Sequence, residues 1–205
     1  GACADGVGSV ATAWGHECLR VQPGAEIAAS RLETRRFAAL RGATTEFSKG
    51  EGLAFGGDTL YMALARVQGS MLAKDPRDVG GPDHLGLEPN PCGAVLAFDL
   101  GEPNDSEGHP IDSAFVVRSG RVAFEGAQKP YRGARSANTC DLERIAGPDN
   151  LAFIPEAGVL LVAEDTARHE NNALWAIDVA SGDHTRILTV PLKAEVAGLQ
   201  WYPDI

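Results

Sequence analysis

The sequence predicts an all-β protein of repeated four-stranded sheets, a partial and open β-propeller, with one N-terminal helix over about residues 25–41. Three observations predict it. First, a segment occurs twice: Phe47-Ser48-Lys49-Gly50-Glu51-Gly52-Leu53-Ala54-Phe55 and Ile145-Ala146-Gly147-Pro148-Asp149-Asn150-Leu151-Ala152-Phe153. Each copy sets a carboxylate four residues before a Phe that opens onto a turn and a second apolar run. Second, Gly is frequent, Pro is well represented and 3.6-residue apolar periodicity is scarce. Third, apolar runs recur at blade-like spacing from Thr45 onward.

Residues 1–24 read as irregular, with a short strand candidate at Cys18–Val21 that ends in the turn Pro23-Gly24. The start, Gly1-Ala2-Cys3-Ala4-Asp5, lacks an initiator Met and a signal peptide and reads as processed or truncated. The helix from Ala25 to Arg41 takes Ile27, Leu32, Phe37 and Leu40 as apolar anchors and Gly42 as its stop. Its arginines, Arg31, Arg35, Arg36 and Arg41, suit either an anion or, more economically, pairing with Glu33 and nearby acids. The span 25–205 then reads as the partial propeller. After the first acidic segment come Asp58–Ala65 and Ala94–Leu100; after the second come Gly158–Ala163 and Ala173–Val179. Long insertions fall at about 69–92 and 101–113, rich in Asp, Gly and Pro. Asp105 and Glu107 lack EF-hand spacing, so that loop is expected to be solvated. The chain supplies two clear blades and at most a third, so the ring should not close alone.

Composition limits the partners. Acidic residues outnumber basic ones 28 to 18, which disfavours nucleic acid held on a general basic surface. No apolar run reaches the length of a membrane-spanning helix, although association with a membrane complex stays open. The four cysteines Cys3, Cys18, Cys92 and Cys140 form no CxxC pair. They fit buried thiols, or disulfides Cys3–Cys18 and Cys92–Cys140 in an oxidising compartment.

Paired strand-end carboxylates suit hard cations, which makes Glu51 and Asp149 the candidate metal ligands. Lys49 is placed to meet a phosphate oxygen or a neighbouring acid, and Asn150 adjoins Asp149. The structural alternative is that these acids cap tight turns. A second polar cluster, Glu164, Asp165, His169 and Asn171, follows a buried strand. It reads as metal ligands or substrate contacts, or else as a hairpin loop in which Asp165 and Asn171 bond backbone. A nucleophile elbow, a P-loop and a dinucleotide fingerprint are all missing, so any catalysis would be metal-assisted.

Several strings resemble PhoX-type alkaline phosphatases and their uncharacterised relatives. They are Leu32-Glu33-Thr34-Arg35-Arg36-Phe37-Ala38-Ala39, Gly42–Gly52, Cys140-Asp141-Leu142, Gly147–Pro155, Ala163–Thr166, His169-Glu170-Asn171, Leu174-Trp175 and Trp201–Ile205. The resemblance covers most of residues 18–205 and corresponds to the C-terminal half of such a protein. It implies a six-bladed propeller whose axial pocket holds calcium and iron and hydrolyses phosphate monoesters in extracytoplasmic space (periplasm, secreted, or an organelle lumen). The family's R-x-E-type carboxylate would fall on Glu51, its preceding basic position on Lys49, and its Pro-Asp carboxylate on Asp149. No cysteine here lies in a matching Cys-Glu segment. Two functions therefore stand side by side: a calcium- and iron-dependent phosphatase whose catalytic set is incomplete in this chain, and a non-catalytic propeller fragment serving as scaffold or accessory subunit. In the first, further residues or another protein chain completes the open propeller; in the second, partner proteins cover its edges.

Overall fold

The computed structural model describes residues 3–4, 7–76, 78, 83–102, 104 and 108–203. Asp105 and Glu107 lie outside the described residues. The chain divides into two compact units: residues up to Ser48 with Gln68–Pro89, and Lys49–Val67 with Asn90 onward. The N-terminal segment and the helical region fall in one unit together with most of the first insertion.

In the first unit, β1 (Gly8–Thr12) and β2 (Gly15–Leu19) form an antiparallel hairpin. This hairpin replaces the expected irregular stretch. Its strands, GSVAT and GHECL, carry too few apolar residues to show an alternating pattern. The Thr12 hydroxyl donates to the Gly15 carbonyl at 2.8 Å across the turn, and a disulfide joins Cys3 to Cys18.

The single helix expected over 25–41 is instead two helices, α1 (Glu26–Leu32) and α2 (Thr34–Leu40), broken at Glu33 with φ −126° and ψ 43°. The Thr34 hydroxyl donates to the Ser30 and Arg31 carbonyls at 2.8 and 3.3 Å, which gives the backbone an alternative to the helical ladder. Of the four expected anchors, Ile27 and Leu32 are exposed, Phe37 and Leu40 are half-buried, and Ala39 is the one buried residue of the two helices. Arg36 pairs with Glu17 and Glu33, whereas Arg35 lies over the Trp14 ring and Arg41 over Phe37. The first insertion is tied down by buried Glu46. Its carboxylate accepts the His84 and Leu85 amides at 2.8 and 2.5 Å.

The second unit holds two four-stranded antiparallel meanders. The first runs β3 (Gly50–Gly56), β4 (Thr59–Leu64), β5 (Ala94–Gly101), β6 (Val116–Glu125). The second runs β7 (Pro148–Ile154), β8 (Val159–Glu164), β9 (Ala173–Asp178), β10 (His184–Thr189). Among the described residues the strands form three antiparallel sheets and no closed barrel. The outer strands β6 and β10 had no clear sequence signal, because Arg, Ser and Gly interrupt one and every residue of the other is exposed.

The two meanders are copies down to their register. Ala54 lies opposite Tyr61 and Tyr61 opposite Ala97; in the second sheet Ala152, Leu161 and Ala176 stand in the same relation. Leu53, Met62 and Leu96 correspond likewise to Leu151, Val162 and Trp175. Residues directly opposite share a face, so the first sheet has a face of mostly small residues and each sheet has one of large ones, while the other face of the second sheet mixes Ala152 and Ala176 with Leu161, Val159 and Ile154. The core is the small face of the first sheet (Ala54, Tyr61, Ala63, Val95, Ala97) packed on the large face of the second (Leu151, Leu160, Val162, Trp175, Ile177). Tyr61 stacks on Phe153 with centroids 6.1 Å apart.

At their inner ends β3 and β7 approach so closely that a Cβ added at Gly52 would lie 2.4 Å from the Asp149 carbonyl oxygen and 2.9 Å from the Leu151 nitrogen. A second disulfide, between buried Cys92 and Cys140, ties the loop before β5 to the loop before β7 across 48 residues. Closing a loop of that length stabilises by about 4 kcal/mol on the chain-entropy account.

Gly52→Ala is expected to cost about 2 kcal/mol or more, since the methyl group meets rigid backbone and the two sheets must part. Urea unfolding measures this, and an unchanged midpoint would mean that the contact is looser than described.

Candidate functional site

Both meanders carry a bulge at the same point. In β3, Glu51 and Gly52 oppose one residue of β4, between the pairs Gly50–Leu64 and Leu53–Met62. In β7, Asp149 and Asn150 do the same between Pro148–Glu164 and Leu151–Val162. A bulge re-aims the side chain it carries. Here the two bulges bring Glu51 and Asp149 to one polar cavity of about 320 Å³, lined also by Lys49, Arg66, Asp165 and Thr166.

Duplication extends to the cavity's rim. The Ala65 amide donates to the Lys49 carbonyl at 3.1 Å, and the Asp165 amide donates to the Gly147 carbonyl at 3.1 Å. Lys49 and Gly147 are thus equivalent, and both are left-handed, with φ 55° and 51°. A lysine in a seat that the second copy gives to glycine stores roughly 1–2 kcal/mol of backbone strain. What the strain holds in place is an ammonium 3.1 Å from Glu51 Oε1.

Electrostatically the cavity is short of positive charge near Asp149. Its carboxyl is pushed above the ordinary aspartate range, first by burial and next by the charge of Glu51, with Asp165 adding to both. A hydrogen bond from Asn150 and the charge of Lys49 oppose the shift. Such a group gains from a cation set between it and Glu51.

Of the residues singled out from sequence, Glu51, Asp149, Lys49 and Asp165 therefore meet in one cavity. Asn150 does not line it; the Asn150 side chain bonds Asp149, and its Oδ1 accepts the Gly198 amide at 2.6 Å. Arg66 and Thr166 were missed; they occupy equivalent positions just after β4 and β8, and the repeat itself was the signal that would have found them.

Glu164, His169 and Asn171 lie elsewhere. Glu164 is fully buried at the position where the first copy has buried Leu64. Its Oε1 accepts from the Ala146 amide (2.9 Å) and the Trp175 indole (2.7 Å). Its Oε2 accepts from the Ala173 amide (2.9 Å) and faces His169 Nδ1 at 3.0 Å. His169 Nε2 faces the Asp141 carbonyl at 3.2 Å. This network joins three stretches of chain and leaves no room for a ligand. Asn171 donates to the Val190 carbonyl at 3.0 Å and fixes the exit of β10. Another acidic group, Glu46, Asp78 and Asp83, belongs to the first unit, with ligand atoms within 4.8 Å of one another. There the Glu46 oxygens are held by backbone amides.

Two outcomes follow. Glu164→Leu restores the residue type of the first copy but strands the Trp175 indole, two amides and His169, so it should destabilise by about 3–5 kcal/mol in urea unfolding. Because the folded-state pKa of Asp149 is raised, its ionisation works against the fold. That penalty is absent at acid pH and grows as pH rises through the folded value. Asp149→Asn should therefore stabilise near pH 7 and make no difference near pH 3 in paired thermal melts. Compared with known proteins, the chain matches no family model, no curated protein and no solved structure.

Proposed function

We propose that the cavity between β3 and β7 binds a hard divalent cation together with a phosphate ester, as one sector of a PhoX-like phosphomonoesterase built from propeller blades. The observation that carries this reading is the pair of equivalent bulges that deliver Glu51 and Asp149 to one cavity. Two carboxylates supply hard oxygen donors of the kind calcium takes. Lys49 and Arg66 supply charge for the oxygens of an anion. When bound, the cation contributes polarisation of a phosphoryl oxygen. Iron with a thiolate ligand does not fit this chain, because all four cysteines are in disulfides.

The blade reading rests on the two four-stranded meanders, their shared register, and the placement of β3 beside β7 as innermost strands. Placement in an oxidising, extracytoplasmic compartment is supported by the two disulfides. No helix is long and apolar enough to cross a membrane among the described residues.

A second reading, a non-catalytic scaffold, is favoured by the exposed apolar residues of the first sheet, Leu53, Phe55 and Val122. Catalysis needs more ligands than two acids, so the readings separate on turnover rather than on binding.

Calcium titrated into the intact protein should bind with heat detectable by calorimetry. Glu51→Gln should weaken that binding about tenfold or more, and so should Asp149→Asn. Absence of binding in the wild type would remove the cation site. Binding without release of phosphate from an aryl phosphate would leave the scaffold reading.

A further inference from the structure

The first unit holds a cavity of about 660 Å³, lined by the β1–β2 hairpin, the two helices and Thr45, and its size is that of a small-molecule site. Its wall owes its make-up to the break between the helices. Residues 32–36 all line the cavity. Five consecutive residues of an unbroken helix are spread over about 400° of arc and cannot all face one space. With α1 ending at Leu32 and α2 starting at Thr34, the same five converge. The hairpin contributes Trp14 from its turn. Two-residue hairpin turns favour Asn and Gly, yet this one is Ala13-Trp14, and three bonds hold it. The Trp14 amide donates to Thr12 Oγ1 at 3.3 Å, the Thr12 hydroxyl to the Gly15 carbonyl at 2.8 Å, and the Ala13 amide to Thr45 Oγ1 at 2.8 Å. Trp14 is thus carried on a fixed turn while remaining 63% exposed.

The charged side chains of the wall, Glu17, Glu33, Arg35 and Arg36, cancel in sign. Arg36 donates from Nε to Glu17 Oε2 at 3.0 Å and from Nη1 to Glu33 Oε2 at 2.9 Å. An anionic ligand would have to compete with those two carboxylates. A cationic one would have to compete with Arg35, whose guanidinium already lies 5.6 Å from the centre of the Trp14 ring. A neutral ligand displaces neither. Among the described residues, Oε1 of each glutamate and Nη2 of Arg36 have no protein partner, so acceptors and a donor stand side by side. Planar carboxylates and guanidinium groups suit paired hydroxyls on neighbouring carbons. The indole and Leu32, itself 81% exposed, suit the C–H face of the ring that carries them.

We infer that this cavity binds a neutral glycan, with a pyranose ring against Trp14 and its vicinal hydroxyls bonded to Glu17, Glu33 and Arg36. The exposure of Trp14 and Leu32 leaves the cleft open, so it covers one or two sugar units of a chain and does not enclose a free monosaccharide. Partial coverage gives a dissociation constant on the order of 0.1–1 mM. The site recognises and performs no reaction. It shares no residue with the cation cavity, and neither depends on the other.

The test is binding of the full chain to an array of neutral and acidic glycans, followed by calorimetry with the strongest neutral oligosaccharide in excess chelator. Binding should be confined to neutral glycans, survive the chelator and change the tryptophan fluorescence. Trp14→Ala should weaken it about tenfold or more while keeping the wild-type urea midpoint, and Trp14→Phe should restore most of the affinity. Glu33→Ala, at a side chain 60% exposed, should also weaken binding about tenfold. If Trp14→Ala lowers the urea midpoint, the Glu33 variant decides, and binding unchanged in it overturns the inference. Absence of binding to every neutral glycan overturns it too, as does binding that persists in a folded Trp14→Ala chain. A preference for acidic glycans overturns the assignment of a neutral ligand.

Discussion

The contact between β3 and β7 governs the second unit. Two backbones pass so near each other at Gly52 and Asp149 that no side chain fits between them. Everything further out follows from that closeness. The first sheet offers three alanines, one valine and one tyrosine to the interface, and the second must fill the widening gap with Leu, Val, Ile and Trp. At the inner ends, the same closeness sets two acidic bulges around one cavity. Burial first, and the charge of Glu51 next, raise the proton affinity of Asp149.

Most of this was legible in the repeat. Two segments of matching pattern, each followed by a turn and an apolar run, located β3, β4, β7 and β8, and the Ala-rich runs located β5 and β9. The pairing of Glu51 with Asp149 came from equivalence alone. What did not show were features whose cause is not periodic. The hairpin at Gly8–Leu19 is held by a disulfide and a turn hydroxyl rather than by apolar alternation. The break at Glu33 comes from a Thr34 hydroxyl that competes for carbonyls, which no apolar count reports. Outer strands β6 and β10 face solvent, so their residues are free to vary.

Glu164 and His169 fit the structural alternative that the sequence left open for their cluster. Three acids, a histidine and two amides in ten residues suit either ligands or a polar hairpin loop. Yet Glu164 sits where its counterpart is leucine, and every oxygen lone pair that matters is spoken for by a donor from another stretch of chain. A buried charge so fully engaged fixes the geometry of the loop that carries Asp165 and Thr166 to the cavity wall. Its influence on any ligand is exerted through that loop. The sequence cue distinguishing the two cases was the register: Asp165 follows its strand as Ala65 follows β4, outside the sheet, whereas Glu164 ends inside it.

The Cys92–Cys140 link bears on the order in which this unit forms. Each meander consists of neighbouring strands and is cheap in loop entropy, but bringing β3 to β7 joins parts of the chain far apart in sequence. An oxidised chain shortens that search, because the disulfide anchors the start of β5 to the approach of β7. A reduced chain should make both sheets promptly and then wait for them to find each other. During that wait the large faces lie bare, so the kinetic hazard of this protein is concentrated in the interval before the two sulfurs meet.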